Sequence, residues 1–352
     1  MSHKPFYQIP TPEINTTTDF YRILKIILSM LFIMLIINML TIRHLKWYTT
    51  NLGYLLISYK WHLLQNMEEP VDWFIVGDSS CNQGLIPKTF TAELDGTAVN
   101  LCTMGFMGAI DSSWMLESYV AKFAPPKNVL IILAPINWQY GLDARVVGKI
   151  PLPWGFWKRL PPYVNLSFSE QKIVFLSRYA PFYTENDSFR QFAQRAILTP
   201  HKIFEKPQLL GDFSADGYMK REEVKLDAAM FQIEAQLELV RTNPFTASEI
   251  TKRTMEHVVS LAEQHNINVY IIHGPLSDEF YKHPDFQNYF VDVDVWLEKI
   301  AQQSDHVYYL PQVVTFPAHE MEDTVHALHS AAQKYTKEIA KEIKIVQELK
   351  EQ

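Results

Sequence analysis

The sequence predicts an α/β protein: a three-layer α/β/α sandwich around a mostly parallel five-stranded sheet, preceded by one transmembrane helix. Two observations predict this arrangement. Short apolar runs alternate with amphipathic helical patterns along residues 71–352, as in proteins built on a parallel sheet with helices on both faces. Residues 23–42 are apolar over about the length that a helix needs to cross a bilayer. Hydrophobic residues make up 47% of the chain, enough to bury a sizeable core.

The apolar segment near the N-terminus is interpreted as a transmembrane signal anchor over residues 22–45. Lys25 lies near one end of it, where a long basic side chain can reach the interface. No small-residue cleavage site follows, so we expect the segment to be retained and not removed as a signal peptide. A buried helix of a soluble core is the alternative. Basic residues are almost balanced on the two sides, so charge does not determine the orientation.

The rest of the chain divides into a polar tail at residues 1–21, a connector at 46–70 and a domain at 71–352. Aromatic residues in the connector suit a membrane interface. In the domain, β-branched and aromatic runs bounded by turn residues predict strands at 73–76, 97–101, 128–134, 268–272 and 306–310. Helical patterns occupy 112–123, 247–265, 291–303 and 330–349.

Residues 141–245, approximately, interrupt the alternation and are predicted to be an insertion after the third strand. This segment includes an aromatic, proline-rich stretch at 151–157. Its aromatic residues either contact lipid or a membrane partner, or cover a small core of the insertion itself. The sequence leaves both interpretations open.

Composition excludes several classes of protein. The formal net charge is −7, and no aromatic-plus-basic motif is present, so we expect no nucleic-acid partner. The histidines show no metal-binding spacing such as H-E-x-x-H, and we expect neither metal nor cofactor. Cys81 and Cys102 are too few for a disulfide framework or a four-cysteine zinc site. Two buried free thiols are the preferred interpretation, and a single disulfide is the alternative.

Polar residues suited to chemistry follow the predicted strands. Ligands of open parallel sheets bind beyond the carboxyl ends of the strands. Ser79 follows the first strand, Gly105 the second and Asn137 the third, while Asp323 and His326 follow the last. We therefore expect these residues to meet at one edge of the sheet.

Acyl transfer needs parts of this kind. A serine hydroxyl is a weak nucleophile until a base accepts its proton, and His326 is the candidate base for Ser79. Asp323, three residues earlier, would hold the imidazole in the right tautomer. The backbone N–H groups of Ser79 and Gly105 and the side-chain amide of Asn137 are candidate donors to an oxyanion.

Two of these assignments have rivals within the sequence. Ser80 also carries a hydroxyl, but Ser79 directly follows Gly-Asp, where a sharp strand-to-helix turn exposes the side chain. We expect Asp78 to cap the helix after that turn. The alternative for the pair Asp323 and His326 is a helix N-cap followed by a surface histidine.

The same residues resemble the four sequence blocks of the SGNH hydrolases, also called the GDSL family. Residues 77–79 are similar to the family's G-D-S block, 100–105 to its second block and 323–326 to its D-x-x-H block. The third block, at 135–138, departs from the usual G-x-N-D, because Pro135 replaces glycine and Trp138 replaces aspartate.

The resemblance implies an activity and its partners. The layout is similar to that of membrane-anchored proteins of envelope-polymer modification, the D-alanyl-lipoteichoic acid transfer and alginate O-acetylation proteins. It implies an extracytoplasmic, single-pass serine O-acyltransferase or esterase acting on an acylated or acyl-accepting glycan. A multi-spanning membrane-bound O-acyltransferase would be a partner, and lipid would contact residues 22–45. The alternative is a non-catalytic glycan-binding or scaffold subunit of such a complex.

Overall fold

The central feature of the computed structural model is one parallel sheet. The structure describes residues 16–44, 51–151, 160–202, 212–222 and 226–351. In chain order the strands are β1 (Trp73–Gly77), β2 (Ala98–Asn100), β3 (Asn128–Leu133), β4 (Asn268–His273), β5 (Leu276–Ser277), β6 (Val307–Leu310) and β7 (Thr315–Phe316). Five of them form a parallel sheet in the order β2-β1-β3-β4-β6, and β5 pairs with β7. The predicted α/β class and five-stranded parallel sheet are confirmed.

The helices surround this sheet and include the predicted N-terminal span. Those before β4 are α1 (Thr16–His44), α2 (Leu52–Asn66), α3 (Ser79–Gly84), α4 (Pro87–Leu94), α5 (Ala109–Val120), α6 (Ala144–Val147), α7 (Phe168–Tyr179), α8 (Pro181–Thr184), α9 (Asn186–Leu198), α10 (Leu226–Thr242) and α11 (Glu249–His265). Those after β4 are α12 (Asp278–Tyr281), α13 (Pro284–Ala301) and α14 (His329–Glu351). The predicted helix at 291–303 is the second part of α13, which begins earlier because Pro284 suits the first turn.

Alternate side chains of the central strands enter two separate hydrophobic cores. Phe74 and Val76 of β1 belong to one core, together with residues of α5, α11 and α13. Trp73 and Ile75 belong to the other, which contains residues of α4 and α14. Because successive side chains of a strand point to opposite faces, the two cores lie on opposite sides of the sheet. This explains why the strands are apolar at every position instead of alternating with polar residues.

A sharp turn connects β1 to α3. Gly77 has a φ of +151°, and a Cβ at this position would lie 1.8 Å from the carbonyl oxygen of Ile132. Only glycine fits such a backbone so close to the neighbouring strand. Asp78 then caps α3, because its side chain accepts a hydrogen bond from the backbone N–H of Ser80. The predicted capping role of Asp78 is confirmed, and Ser79 is the first residue of the helix.

The N-terminal helix α1 contains a window, Asp19–Leu40, that is long and apolar enough to cross a membrane, with a mean hydropathy of 2.6. The helix begins at Thr16, inside the predicted polar tail at residues 1–21. No glycine or proline follows Pro12 before the span, so nothing in the sequence stops the helix from extending backwards. Residues 1–15 lie outside the described part of the chain.

The connector predicted at 46–70 contains α2, which is part of the domain. Lys60 Nζ donates to the carbonyl oxygens of Asn100 and Gly217 at 2.8 and 2.6 Å, and Trp61 Nε1 donates to Asp111 Oδ1 at 2.8 Å. Lys60 and Trp61 are both buried. The predicted insertion at 141–245 holds α6 to α10, and most of the proline-rich stretch at 151–157 lies outside the described residues.

Candidate active site

The predicted site residues line a single cavity at the carboxyl ends of the strands. It has a volume of about 460 Å³, and its walls include Ser79, Gly105, Asn137, Asp323 and His326. The five residues come from four separate segments of the chain. The structure therefore brings together all the residues that the sequence predicted to meet.

His326 and Asp323 form a short hydrogen-bonded pair in the wall of this cavity. His326 Nδ1 lies 2.6 Å from Asp323 Oδ2. Asp323 Oδ1 accepts from the backbone N–H groups of Val325 and His326, at 2.9 and 3.0 Å, which fixes the carboxylate. The alternative in which Asp323 is a helix N-cap does not fit, since α14 begins only at His329. With Nδ1 bonded to the carboxylate, Nε2 is the nitrogen left to exchange a proton with a substrate or nucleophile.

The pair also shifts the acidity of both groups. Burial by itself would lower the pKa of His326, but the charge of Asp323 and its hydrogen bond outweigh that effect and raise the pKa above the ordinary 6.5. Burial would likewise raise the pKa of Asp323, yet the charge and hydrogen bond of His326 lower it below the ordinary 3.8. An imidazolium formed during a reaction is therefore stabilised by the carboxylate.

The two serines at the start of α3 differ in their surroundings. Ser79 is half-buried and lines the cavity. Ser80 is fully buried, and its Oγ donates to Asp78 Oδ1 at 2.5 Å. The cavity is therefore lined by Ser79 and not by its rival. Within the described part of the chain, no hydrogen bond joins Ser79 to His326; such contacts are often long before a substrate binds.

Asp78 also positions the candidate oxyanion donors, a role that the sequence did not reveal. Its Oδ2 accepts from the backbone N–H of Ala134 at 2.7 Å and from Asn137 Nδ2 at 2.5 Å. Gly105 lies against the same amide: a Cβ there would be 2.5 Å from Asn137 Nδ2. One N–H of the Asn137 amide donates to Asp78. The second N–H of the amide is therefore the candidate donor to an oxyanion.

A disulfide lies beside these residues. Cys81 and Cys102 are bonded, with their Cα atoms 5.8 Å apart, so the expectation of two free thiols is wrong. The physical reason is the pairing of β1 with β2, which brings the residues just past their ends together. The bond connects the helix that begins with Ser79 to the loop that leads to Gly105.

The remaining walls combine neighbours of the predicted site residues with residues from distant segments of the chain. Apolar side chains form one part of the wall, namely Leu52, Leu56, Met104, Phe106, Ile136 and Val325. Arg221, Gln236 and Glu322 form a polar part. Arg221 contacts two carboxylates, with Nε 3.8 Å from Glu322 and Nη1 3.3 Å from Asp212. Some of these wall residues adjoin the predicted site residues in the chain, namely Met104, Phe106, Ile136, Glu322 and Val325. The sequence gives no signal for the others, because distant parts of the chain bring them to the site: Leu52, Leu56, Arg221 and Gln236.

No family model matches the chain, and no curated protein matches its sequence. Among the described residues, no group of three or more His, Cys, Asp or Glu side chains is placed to hold a metal ion.

Proposed function

We propose that this chain is a membrane-anchored serine acyltransferase or esterase of the SGNH type. The observation that carries the proposal is the shared cavity, in which Ser79, the His326–Asp323 pair and the Gly105–Asn137 contact all take part. A nucleophile, an oriented base and oxyanion donors are the parts that acyl transfer requires. The resemblance to the four SGNH blocks points to the same chemistry.

The family's fold is part of the proposal. A three-layer α/β/α sandwich is supported by the two hydrophobic cores, which lie on opposite faces of the sheet. The glycine turn before Ser79 supports the same assignment, since it exposes the start of α3 at the edge of the sheet.

In the first half of the reaction, Ser79 Oγ attacks the carbonyl carbon of a bound ester. His326 Nε2 takes the proton from Oγ as the new C–O bond forms, and Asp323 stabilises the resulting imidazolium. The oxyanion accepts hydrogen bonds from the backbone N–H groups of Ser79 and Gly105 and from Asn137 Nδ2. When the ester C–O bond breaks, His326 gives its proton to the departing alcohol oxygen, which leaves an acyl group on Ser79.

In the second half, a hydroxyl group attacks the acyl carbon on Ser79. His326 removes the proton of that hydroxyl and returns it to Ser79 Oγ as the acyl–serine bond breaks. Attack by water gives hydrolysis, and attack by a sugar hydroxyl gives transfer to a glycan. The substrate is then an O-acylated or acyl-accepting polysaccharide of the cell envelope, as in the families that the chain resembles.

An extracytoplasmic location for the domain is supported by the Cys81–Cys102 disulfide. Disulfides persist in oxidising compartments and are rare in the cytosol. With α1 as a single span, the domain would lie on the outer side of the membrane beside a multi-spanning O-acyltransferase that supplies or receives the acyl group.

A second candidate function is a non-catalytic glycan-binding or scaffold subunit. The specific observations in its favour are the missing Ser79–His326 hydrogen bond and the use of Asn137 Nδ2 by Asp78. A binding protein would keep the cavity but would not need the serine to be reactive.

Labelling with a fluorophosphonate separates the two functions. We expect the probe to label the purified full chain in detergent and the Ser79→Ala variant to remain unlabelled at equal thermal stability. Acyl groups on the surface polysaccharide of cells that carry only Ser79→Ala would then identify the reaction. Their loss would indicate a transferase, and their excess would indicate an esterase. Equal labelling of the wild type and of Ser79→Ala would contradict the proposal.

A further inference from the structure

The most exposed large apolar side chains of the described chain lie on α7 to α9. The exposed fractions are 85% for Phe168, 81% for Ile197, 78% for Leu198 and 74% for Tyr183. Between residues 19 and 40 of α1, the candidate membrane span, no large apolar side chain is as exposed. Single exposed apolar residues are common, but such a concentration on one segment indicates a surface that is covered by something.

This segment is attached to the candidate span. Asn38 is 5% exposed, the only buried side chain between residues 19 and 40 of α1, and its Nδ2 donates to the carbonyl oxygen of Tyr179. A cavity of about 330 Å³ separates the two segments, and its walls are Leu31, Met34, Leu35 and Asn38 on α1 and Tyr179, Ala180 and Tyr183 on the other side. The α7–α8 junction therefore lies alongside α1.

The position of this contact along α1 sets its depth. Leu31 precedes Leu40, the end of the apolar window, by nine residues, or about 14 Å of helix. The hydrocarbon core of a bilayer is about 30 Å thick. If Asp19–Leu40 crosses the membrane, residues that contact α1 between Leu31 and Asn38 lie below the level of Leu40, within one leaflet.

The charges near the junction fit such a position. Glu185 follows Tyr183 by two residues, and its side chain is 3% exposed and pairs with Lys149, which is 8% exposed. This carboxylate is thus shielded from its surroundings, as a charge near lipid must be. Arg190 and Arg195 of α9 are exposed, and basic side chains beside apolar ones are typical of helices that lie at a membrane surface.

We propose that α7 to α9 form a second membrane contact, with Tyr183, Ile197 and Leu198 inserted among the acyl chains of the leaflet next to the catalytic domain. The occupant of this surface is phospholipid. The inference depends on α1 as a span and is independent of any catalytic activity.

The test measures the depth of single side chains in the full chain reconstituted in phosphatidylcholine vesicles. Ile197→Cys and Leu198→Cys are each labelled with an environment-sensitive fluorophore, which reacts only at the new thiol because the native cysteines are bonded. The matched control is Leu349→Cys, which is 66% exposed. Leu349 precedes Lys350, whose Nζ bonds Asn268 at the start of β4, so it lies at the edge of the sheet opposite the cavity.

We expect phospholipids with brominated acyl chains to quench the label at positions 197 and 198 several-fold more than at 349. Iodide in the buffer should quench the label at position 349 more than the label at position 197 or 198. Equal thermal stability of the three labelled proteins in detergent is the check on folding, and substitution of such exposed residues is expected to preserve it. Iodide quenching at 197 and 198 that equals quenching at 349 would overturn the proposal.

Discussion

Asn137 Nδ2 donates a hydrogen bond to Asp78 Oδ2 at 2.5 Å, so the residue before the candidate nucleophile holds a candidate oxyanion donor. The same carboxylate bonds Ser80 through its other oxygen. Asp78 therefore links the ends of β1 and β3, and a change at either end should be transmitted to the other.

The first prediction concerns the nucleophile. Ser79→Ala should abolish probe labelling and ester turnover, because no other hydroxyl of α3 lines the cavity. Ser80→Ala is the matched control: it removes a buried hydrogen bond to Asp78, worth about 1 kcal/mol of stability, and should leave labelling intact. Labelling that survives in Ser79→Ala but is lost in Ser80→Ala would show that Ser80 is the nucleophile.

The second prediction is the pH dependence. His326 must be neutral to accept a proton, and Asp323 raises its pKa above 6.5. The rate should therefore decrease as the pH falls through a midpoint above 6.5. Asp323→Asn removes the carboxylate charge, so the midpoint should move to lower pH while the maximum rate falls by up to ~10⁴-fold.

The measurement is kcat/KM for a small ester from pH 5 to pH 9, with His326→Ala as the inactive reference. If kcat/KM decreased at low pH with the same midpoint in the wild type and in Asp323→Asn, the role assigned to the Asp323–His326 pair would be contradicted.

The third prediction concerns the oxyanion donor. Asn137→Ala should cost about 3 kcal/mol of transition-state stabilisation, seen mainly in kcat. If Asn137 only held Asp78, the loss would appear in the thermal stability and not in kcat at matched temperature. Kinetics and thermal unfolding of the same preparation distinguish these outcomes.

The fourth prediction concerns Gly105. In Gly105→Ala the new methyl group would lie 2.5 Å from Asn137 Nδ2, which Asp78 holds in place, so activity should decrease more than stability. Gly141→Ala is the matched control, because its methyl group would meet no atom closer than 3.8 Å. Similar activities of the two variants would show that the Gly105 contact does not matter for the reaction.

The fifth prediction concerns the disulfide. Replacement of Cys81 and Cys102 by alanine should lower the free energy of unfolding by about 3 kcal/mol, as expected for a bond that closes a loop of this size, with a sequence separation of 21. Activity should also fall, since the bond fixes the loop before Gly105. Chemical denaturation with and without a reducing agent checks the first part, and an unchanged midpoint would contradict it.

The five strands of the main sheet could be predicted to within one residue at each end, because each is a continuous apolar run that ends at a turn residue. The two-residue strands β5 and β7 are too short to show such a pattern. The site residues could be predicted for a related reason: the carboxyl ends of parallel strands meet at one edge, so Ser79, Gly105 and Asn137 had to be neighbours. Asp78 illustrates the limit of this reasoning. Its capping role follows from local sequence, whereas its bond to Asn137 depends on the exact spacing of two strands.

The cavity walls show the limit more clearly. Leu52 and Leu56 belong to a segment that sequence patterns identify only as a connector, and nothing local marks Arg221 as a neighbour of His326. Tertiary packing decides both. The disulfide could not be predicted from the usual burial of cysteine, because burial says nothing about the distance between two thiols.

The hydrogen bonds of Lys60 and Trp61 attach α2 to β2 and α5, and the bond from Asn38 to the carbonyl oxygen of Tyr179 attaches α1 to the end of α7. If Asp19–Leu40 crosses a membrane, these contacts fix the height of the cavity above the lipid. The proposed activity would then reach a polymer only where the polymer passes at that height. Asn38→Ala removes one of the attachments, so the layer of polymer that is modified should widen, and the spacing of acyl groups along the polymer would record the change.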